Sequence, residues 1–588
     1  MAMRCIIIGW LFLFSSGAAS AAERSADKWP EPSSSEAGGA KATKLKLSLL
    51  PKGAKFPEGF NCEAKPASCQ FDLAYFLNDG FNPANKNRLN ILFIAGGPGA
   101  MVDPQSPNPT FNLWTKKHNL VYFHARGMGQ SKLDGDKRYD QFMRVDYVVE
   151  DIESLRAKIL GDRPWDGIYA HSWGTVVAQR YAAKYGKPKL IEPKVKSLIL
   201  SGPVDRHLAN SQNARVRTVT ANFKMIYDYF RSAGGDEQCT CVSNGFLKPL
   251  LTDAGNEQAG TFEDRADKTD NLCYLKMADS KTITDNLEKI LPEIDSFYGS
   301  ADQIVDNFDR LKHDSAFQKH FGRFDLSFFV ALRYLQLTGA PDKSGLVFSV
   351  DSHSQVSAAL VIVQQLATPN PELCTVKTSP FAAAQGLCDG CARLAKAQKD
   401  MMPHDDRTSL RGQYVFGVYD GVTRWLPAVM EKSGCFAGKD IAEFVNHGSG
   451  EKKFVRDQAQ KIGVVPGEQI CPWDPAKFRH AVPTLLLKGS RDTVVAGCQA
   501  EDFFRNGLTD DRRALFEFRG MGHDLSVARL AKPGGVSDWA EKFADLLETF
   551  IKKPDDVAKF RTDKRIEGMI EKLKITDQTV AAKKPCNT

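Results

Sequence analysis

Apolar positions along this chain change their spacing several times, and those changes divide it. Short β-branched and aromatic runs at Leu89–Ala95, Leu120–His124, Gly167–Ala170 and Val195–Leu200 alternate with helical spacing at Val148–Leu160 and Gly174–Tyr185. Strand and helix in strict turn predict an α/β fold, a mostly parallel sheet with helices on both faces. A site in such a sheet belongs at the carboxyl ends of its strands. From about Val204 to Phe478 the spacing becomes helix-like and strand runs are few. The alternation resumes at Val482–Gly489 and Arg513–Arg519, two strands separated by a helix, followed by a last helix over Val536–Ile551. The predicted organisation is a sheet core over 45–203 and 481–551, interrupted by a mainly helical insertion over 204–480 and followed by a tail of mixed charge over 552–588.

The amino terminus has a different pattern. One basic residue, Arg4, precedes the apolar run Cys5–Phe14 and a string of small residues with an Ala19-x-Ala21 cleavage site, the form of a signal peptide over 1–21. Ser, Gly, Ala and Pro then dominate a leader over 22–44. No other segment approaches a membrane span in length and apolarity. The expectation is a soluble mature chain that is secreted or periplasmic.

Composition agrees with a large core: 42% of the 588 residues are hydrophobic, 10% aromatic and 25% charged. Of thirteen cysteines one lies in the signal; the remaining twelve suit disulfides in an oxidising compartment. They cluster, as in Cys62 with Cys69 and Cys498 with Cys586, and eight of them fall in the insertion, so pairing within clusters is expected. Cys388-Asp-Gly-Cys391 has the form of a zinc half-site or redox pair, but no second C-x-x-C or H-x-x-x-H accompanies it, and neither a metal nor another cofactor is expected. The formal charge of +7 is spread along the chain, without the concentrated basic face and interleaved aromatics of a nucleic-acid binder. The tail alternates lysines with acids and is expected as a solvated helix.

The chemistry begins at Gly167-Ile-Tyr-Ala-His-Ser-Trp-Gly-Thr175, where a strand ends in Ser172 and restarts as a helix. This is the form of a nucleophile elbow, which needs small neighbours; Gly174 and Ala170 supply them. A serine hydroxyl needs a base to take its proton, and the base needs an acid to hold it. Asp492 follows one late strand, in Gly-Ser-Arg-Asp-Thr-Val, and His523 follows the next, in Arg-Gly-Met-Gly-His-Asp. Of eleven histidines only His523 lies beyond Asp492, as the order serine, acid, histidine requires. The backbone amides of Gly97, in Ile94-Ala-Gly-Gly-Pro-Gly-Ala100, and of Trp173 are the expected oxyanion donors, with Gly96 in reserve. Neither G-x-G-x-x-G nor G-K-S/T is present, which argues against a phosphate loop.

Ala-Gly-Gly-Pro-Gly, Val121-Tyr-Phe-His-Ala-Arg-Gly-Met-Gly-Gln-Ser131, Ala-His-Ser-Trp-Gly-Thr, Gly-Ser-Arg-Asp-Thr-Val and Gly-Met-Gly-His, in this order, resemble the motifs of the α/β-hydrolase fold. More narrowly they resemble its prolyl aminopeptidase and tripeptidyl aminopeptidase branch, over about 68–202 and 482–551. Three positions depart from that family's pattern: Ala95 for a histidine, His124 for an aspartate and Ala170 for the first elbow glycine. The resemblance implies release of an amino-terminal residue or short peptide from a small peptide substrate through an acyl-enzyme on Ser172. It also implies an acid in the cap to pair with the substrate ammonium, for which Asp420 and then Glu431 are the candidates. A carboxylesterase or lipase-like hydrolase would carry the same three catalytic groups and is the alternative.

Overall fold

The computed structural model describes residues 42–97 except 52, 109–133, 137–186, 192–204, parts of 285–332 and most of 477–578, with a few isolated residues between. The signal, the leader up to residue 41, most of the insertion, and residues 579–588 lie outside the described residues; the last two residues of the expected leader, Thr43 and Lys44, begin the first strand instead.

One sheet organises the core. Its strands are β1 (Thr43–Ser48), β2 (Gln70–Leu77), β3 (Asn90–Ile94), β4 (Asn119–Phe123), β5 (Gly167–His171), β6 (Leu198–Ser201), β7 (Thr484–Gly489), β8 (Arg513–Phe518) and β9 (Ile575–Asp577). They lie side by side in the order β1-β2-β4-β3-β5-β6-β7-β8-β9. The six from β4 to β8 run parallel, and antiparallel pairing is confined to the two flanks. Strands buried on both faces must be apolar throughout, and Leu485, Leu486 and Leu487 are each fully buried. The α-helices of the core include α1 (Pro109–Lys117), α2 (Val145–Leu160), α3 (Trp173–Tyr185), α4 (Gly497–Asn506), α5 (Asp538–Lys552), α6 (Val557–Thr562) and α7 (Lys564–Lys572), and a short helix Ser315–Phe321 lies within the insertion.

Two apolar cores result, one per face. Ile152, Leu155, Val176, Val177 and Phe503 of α2, α3 and α4 cover one face together with Leu92, Ala170, Leu200 and Leu486. Trp114, Phe543, Leu547, Phe560 and Ile566 of α1 and α5 to α7 cover the other, with Tyr122, Tyr169, Ile199 and Phe516. The expected α/β fold with helices on both faces is therefore present, and β6 and β7 are hydrogen-bonded neighbours although the 204–480 insertion separates them.

The tail differs from a solvated helix. Residues 557–572 form two helices that bury Val557, Phe560, Ile566 and Met569, and β9 then pairs antiparallel with β8 as the sheet edge. Apolar residues at helical spacing outweigh the lysines beside them. Near the opposite flank the departure at His124 is accommodated: its Nδ1 accepts the Gln130 amide at 3.1 Å, and Ser131 donates to its carbonyl at 2.7 Å. Arg126 closes the turn, with Nε 2.8 Å and Nη2 2.6 Å from the two oxygens of Asp151 on α2.

Cys62 and Cys69 are bonded to each other, as their proximity in the chain suggests, and Cys498 is also disulfide-bonded. Among the described residues no helix is long and apolar enough to cross a membrane, and no group of three or more side chains is placed to hold a metal.

Candidate active site

Ser172 occupies the junction of β5 and α3 with φ 51°, and it is the only non-glycine of positive φ among the described residues. Such a conformation costs on the order of 1–3 kcal/mol and persists only where surroundings enforce it. Here the enforcement is visible: the Ser172 amide donates to the Ser201 carbonyl at 2.9 Å, and its own carbonyl accepts the Thr175 amide at 2.9 Å and the Thr175 hydroxyl at 2.6 Å. Gly174 has no room for a side chain, since a Cβ there would lie 2.5 Å from the Ala95 carbonyl oxygen and 2.7 Å from that of Ile94. Ala170, at the other side of the elbow, is fully buried.

The loop after β3 is pressed against this serine. A Cβ on Gly96 would stand 3.0 Å from the Ser172 Cβ and 3.0 Å from the His171 Cδ2. Gly97 follows with φ 113°, a backbone that side chains rarely adopt. Trp173 is the first residue of α3, so its amide has no acceptor within the helix and carries the positive end of the helix dipole. Of the two expected oxyanion donors, Trp173 directly follows the serine in the chain, and Gly97 directly follows Gly96, which packs against it; residues 98–108 lie outside the described residues.

Asp492 and His523 come from successive strand ends. Asp492 follows β7, and its Oδ1 accepts the amides of Val494 at 2.9 Å and Val495 at 2.8 Å. Its Oδ2 lies 2.8 Å from His523 Nδ1. Two backbone donors on one oxygen leave the other aimed at the ring, so Nδ1 carries the hydrogen and Nε2 is the basic nitrogen. Both residues are 3% exposed, and burial strengthens that contact. The two loops interlock at Gly489, where a Cβ would meet the Gly522 and Met521 carbonyl oxygens at 2.1 and 2.3 Å.

Just below the acid loop Lys488 is buried, with Nζ 2.7 Å from Glu501 and 2.8 Å from Glu517. Burial alone would lower this lysine, but the two carboxylates outweigh it and raise its pKa, so it stays charged. The ion cluster anchors the end of β7 to α4 and β8.

Three residues at this site have roles that the motifs do not assign, although Gly489 and His171 lie within them. Gly202 has φ 58°, and a Cβ there would stand 2.8 Å from His523 Cε1 and 3.6 Å from Asp492 Oδ2. Gly489 is the crossing point of the loops, and the His171 ring packs on that of His523 with centroids 4.7 Å apart. Gly202 had a signal in its place right after a strand run; the role of His171 depends on packing between loops far apart in the chain. Asp420 and Glu431 lie outside the described residues.

Sheet order and elbow define a class, the α/β-hydrolase fold, and residues 90–234 match the family model described as the alpha/beta hydrolase fold. Within that class the relatives are proline iminopeptidases, which bears out the resemblance drawn from the motifs. The chain is 30% identical over 117 residues to the proline iminopeptidase PfmaB of Pestalotiopsis fici, across 20% of this chain and 37% of that protein. It is 28% identical over 123 residues to the proline iminopeptidase of Chitinophaga pinensis, across 20% of this chain and 37% of that protein. The similar stretch therefore spans little more than a third of either relative. Among solved structures, the proline iminopeptidase of Mycobacterium smegmatis is 13% identical, with 83% of this chain and 97% of that one covered at a TM-score of 0.34.

Proposed function

We propose that this chain is a secreted serine hydrolase that removes an amino-terminal residue or short peptide from peptide substrates. The observation that supports the reading is a strained Ser172 at the end of one parallel strand together with a buried histidine and carboxylate, 2.8 Å apart, carried by the ends of two others. In this reading Ser172 Oγ attacks the scissile carbonyl carbon while His523 Nε2 takes the hydroxyl proton, and Asp492 stabilises the resulting imidazolium. The amides of Gly97 and Trp173 stabilise the oxyanion, each worth on the order of 3 kcal/mol of barrier. The imidazolium then gives its proton to the departing amine, and water releases the acyl group by the same steps in reverse order.

The peptidase assignment draws on the proline iminopeptidase relatives and on Asp420 and Glu431 as candidate partners for a substrate ammonium. A buried ammonium without an anion is costly, so an enzyme for free amino termini needs such a group. Export draws on the signal-like first 21 residues and on the disulfide chemistry at Cys62, Cys69 and Cys498.

The decisive assay sets amino-acyl, prolyl and tripeptidyl arylamides beside their amino-blocked forms and simple esters. Hydrolysis that needs the free amine is expected; indifference to blocking selects an esterase instead. A fluorophosphonate probe should label the wild type and leave Ser172→Ala unlabelled, and a labelled alanine variant sinks the nucleophile assignment.

A further inference from the structure

The His171 ring stands between two parts of the site. On one side its centroid lies 4.7 Å from that of His523, with the planes tilted by 48°. On the other, Gly96 comes so close that a Cβ would sit 3.0 Å from the His171 Cδ2. Strand alternation puts it there. Ile168 and Ala170 face the α2/α3 core, Tyr169 faces the α5 core, and His171 falls on the same face as Tyr169. In register, His171 is paired with Ser201, and the next residue, Gly202, is another wall of the His523 ring.

Asp492 holds His523 through one nitrogen, Nδ1. A base whose ring shifts loses alignment with its proton donor. A displacement near 1 Å costs about a hundredfold in rate. The Gly202 backbone and the His171 ring both stand against that imidazole.

We propose that His171 is a positioning residue, whose ring fixes the orientation of the His523 imidazole and spaces it from the Gly96–Gly97 turn. The proposal rests on the reading of Ser172 as nucleophile and His523 as its base. It assigns the work to ring packing, so a ring of another residue type at position 171 should serve.

The test is the rate at which a fluorophosphonate probe labels the full chain, with Ser172→Ala as the blank and melting temperature recorded for every variant. His171→Phe keeps a ring, while His171→Ala and His171→Asn remove it. The ring-less variants should label at least about tenfold more slowly, with Phe restored to within about threefold of wild type. Where alanine melts early, the comparison of Phe with Asn carries the decision at matched stability. Wild-type labelling rates in the ring-less variants overturn the proposal, and so does a Phe variant as slow as Asn. A probe that labels the Ser172→Ala blank removes the nucleophile reading itself, and this proposal with it.

Discussion

The backbone of Gly202 lies against the imidazole of His523, so close that a single added Cβ would stand 2.8 Å from its Cε1 atom. Gly202 also has φ 58°, so two independent constraints select glycine at this position. Gly202→Ala is expected to cost about 1 kcal/mol of stability through its backbone conformation. It should cost far more in turnover, about a hundredfold, because the histidine ring must move to make room. The check is kcat on an arylamide substrate beside a thermal melt; loss of activity only in proportion to loss of fold contradicts this account.

Strain at Ser172 has its own signature. Ser172→Ala and Ser172→Gly both remove the hydroxyl, and neither should react with a fluorophosphonate. Glycine also relieves the conformation at φ 51°, worth on the order of 1–3 kcal/mol, against about 0.5–1 kcal/mol of added chain entropy. The glycine variant should therefore melt above the alanine variant. Equal melting, or the reverse order, means that the elbow is not strained.

Removing the charge of Lys488 leaves Glu501 and Glu517 facing each other at a buried position. Lys488→Met should destabilise by about 3–5 kcal/mol, as expected when one partner of a buried ion cluster is lost. Adding Glu501→Gln and Glu517→Gln should recover most of that loss in denaturant melts. The alkaline limb supplies the sign. A lysine raised in the folded state contributes stability below its unfolded pKa near 10.4, and that contribution is lost as pH climbs through the folded value. The gap between wild type and Lys488→Met should therefore narrow above about pH 10.4.

Much of this core was legible because parallel strands buried on both faces carry unbroken apolar runs. β3, β4, β5, β7 and β8 all lie within or beside such runs. β1 was harder, since Thr-Lys-Leu-Lys-Leu-Ser alternates as a half-exposed flank strand does. β9 has three residues, and it exists only because β8, far back in the chain, offers an edge. Ser172, Asp492 and His523 were legible because each follows a strand in an ordered motif. Gly202 and His171 were not, because what they touch is decided by packing across the β5–β6 register and between loops hundreds of residues apart.

The return of the chain from the insertion is pinned by charge. Lys477 Nζ lies 2.7 Å from Asp146 Oδ2 at the start of α2, and Arg180 of α3 lies 3.2 Å from the other oxygen. Arg180 also stacks over Phe478 at 5.3 Å, so two successive residues of the returning segment are held by the same helix pair. Burial alone would raise the Asp146 carboxyl, but Arg180 and Lys477 outweigh it and hold its pKa below the ordinary value. A carboxylate lowered in the folded state contributes stability above its unfolded pKa near 3.9, and that contribution disappears as pH falls through the folded value. The carboxylate remains 46% exposed, so solvent screening limits the effect to about 1 kcal/mol or less. Asp146→Asn should thus melt slightly below wild type at pH 7, with the difference closing below about pH 4. Lys477→Met should reproduce part of that difference at pH 7, and in the Asp146→Asn background it should add almost nothing. Full additivity of the two substitutions would show that they do not share one ion cluster.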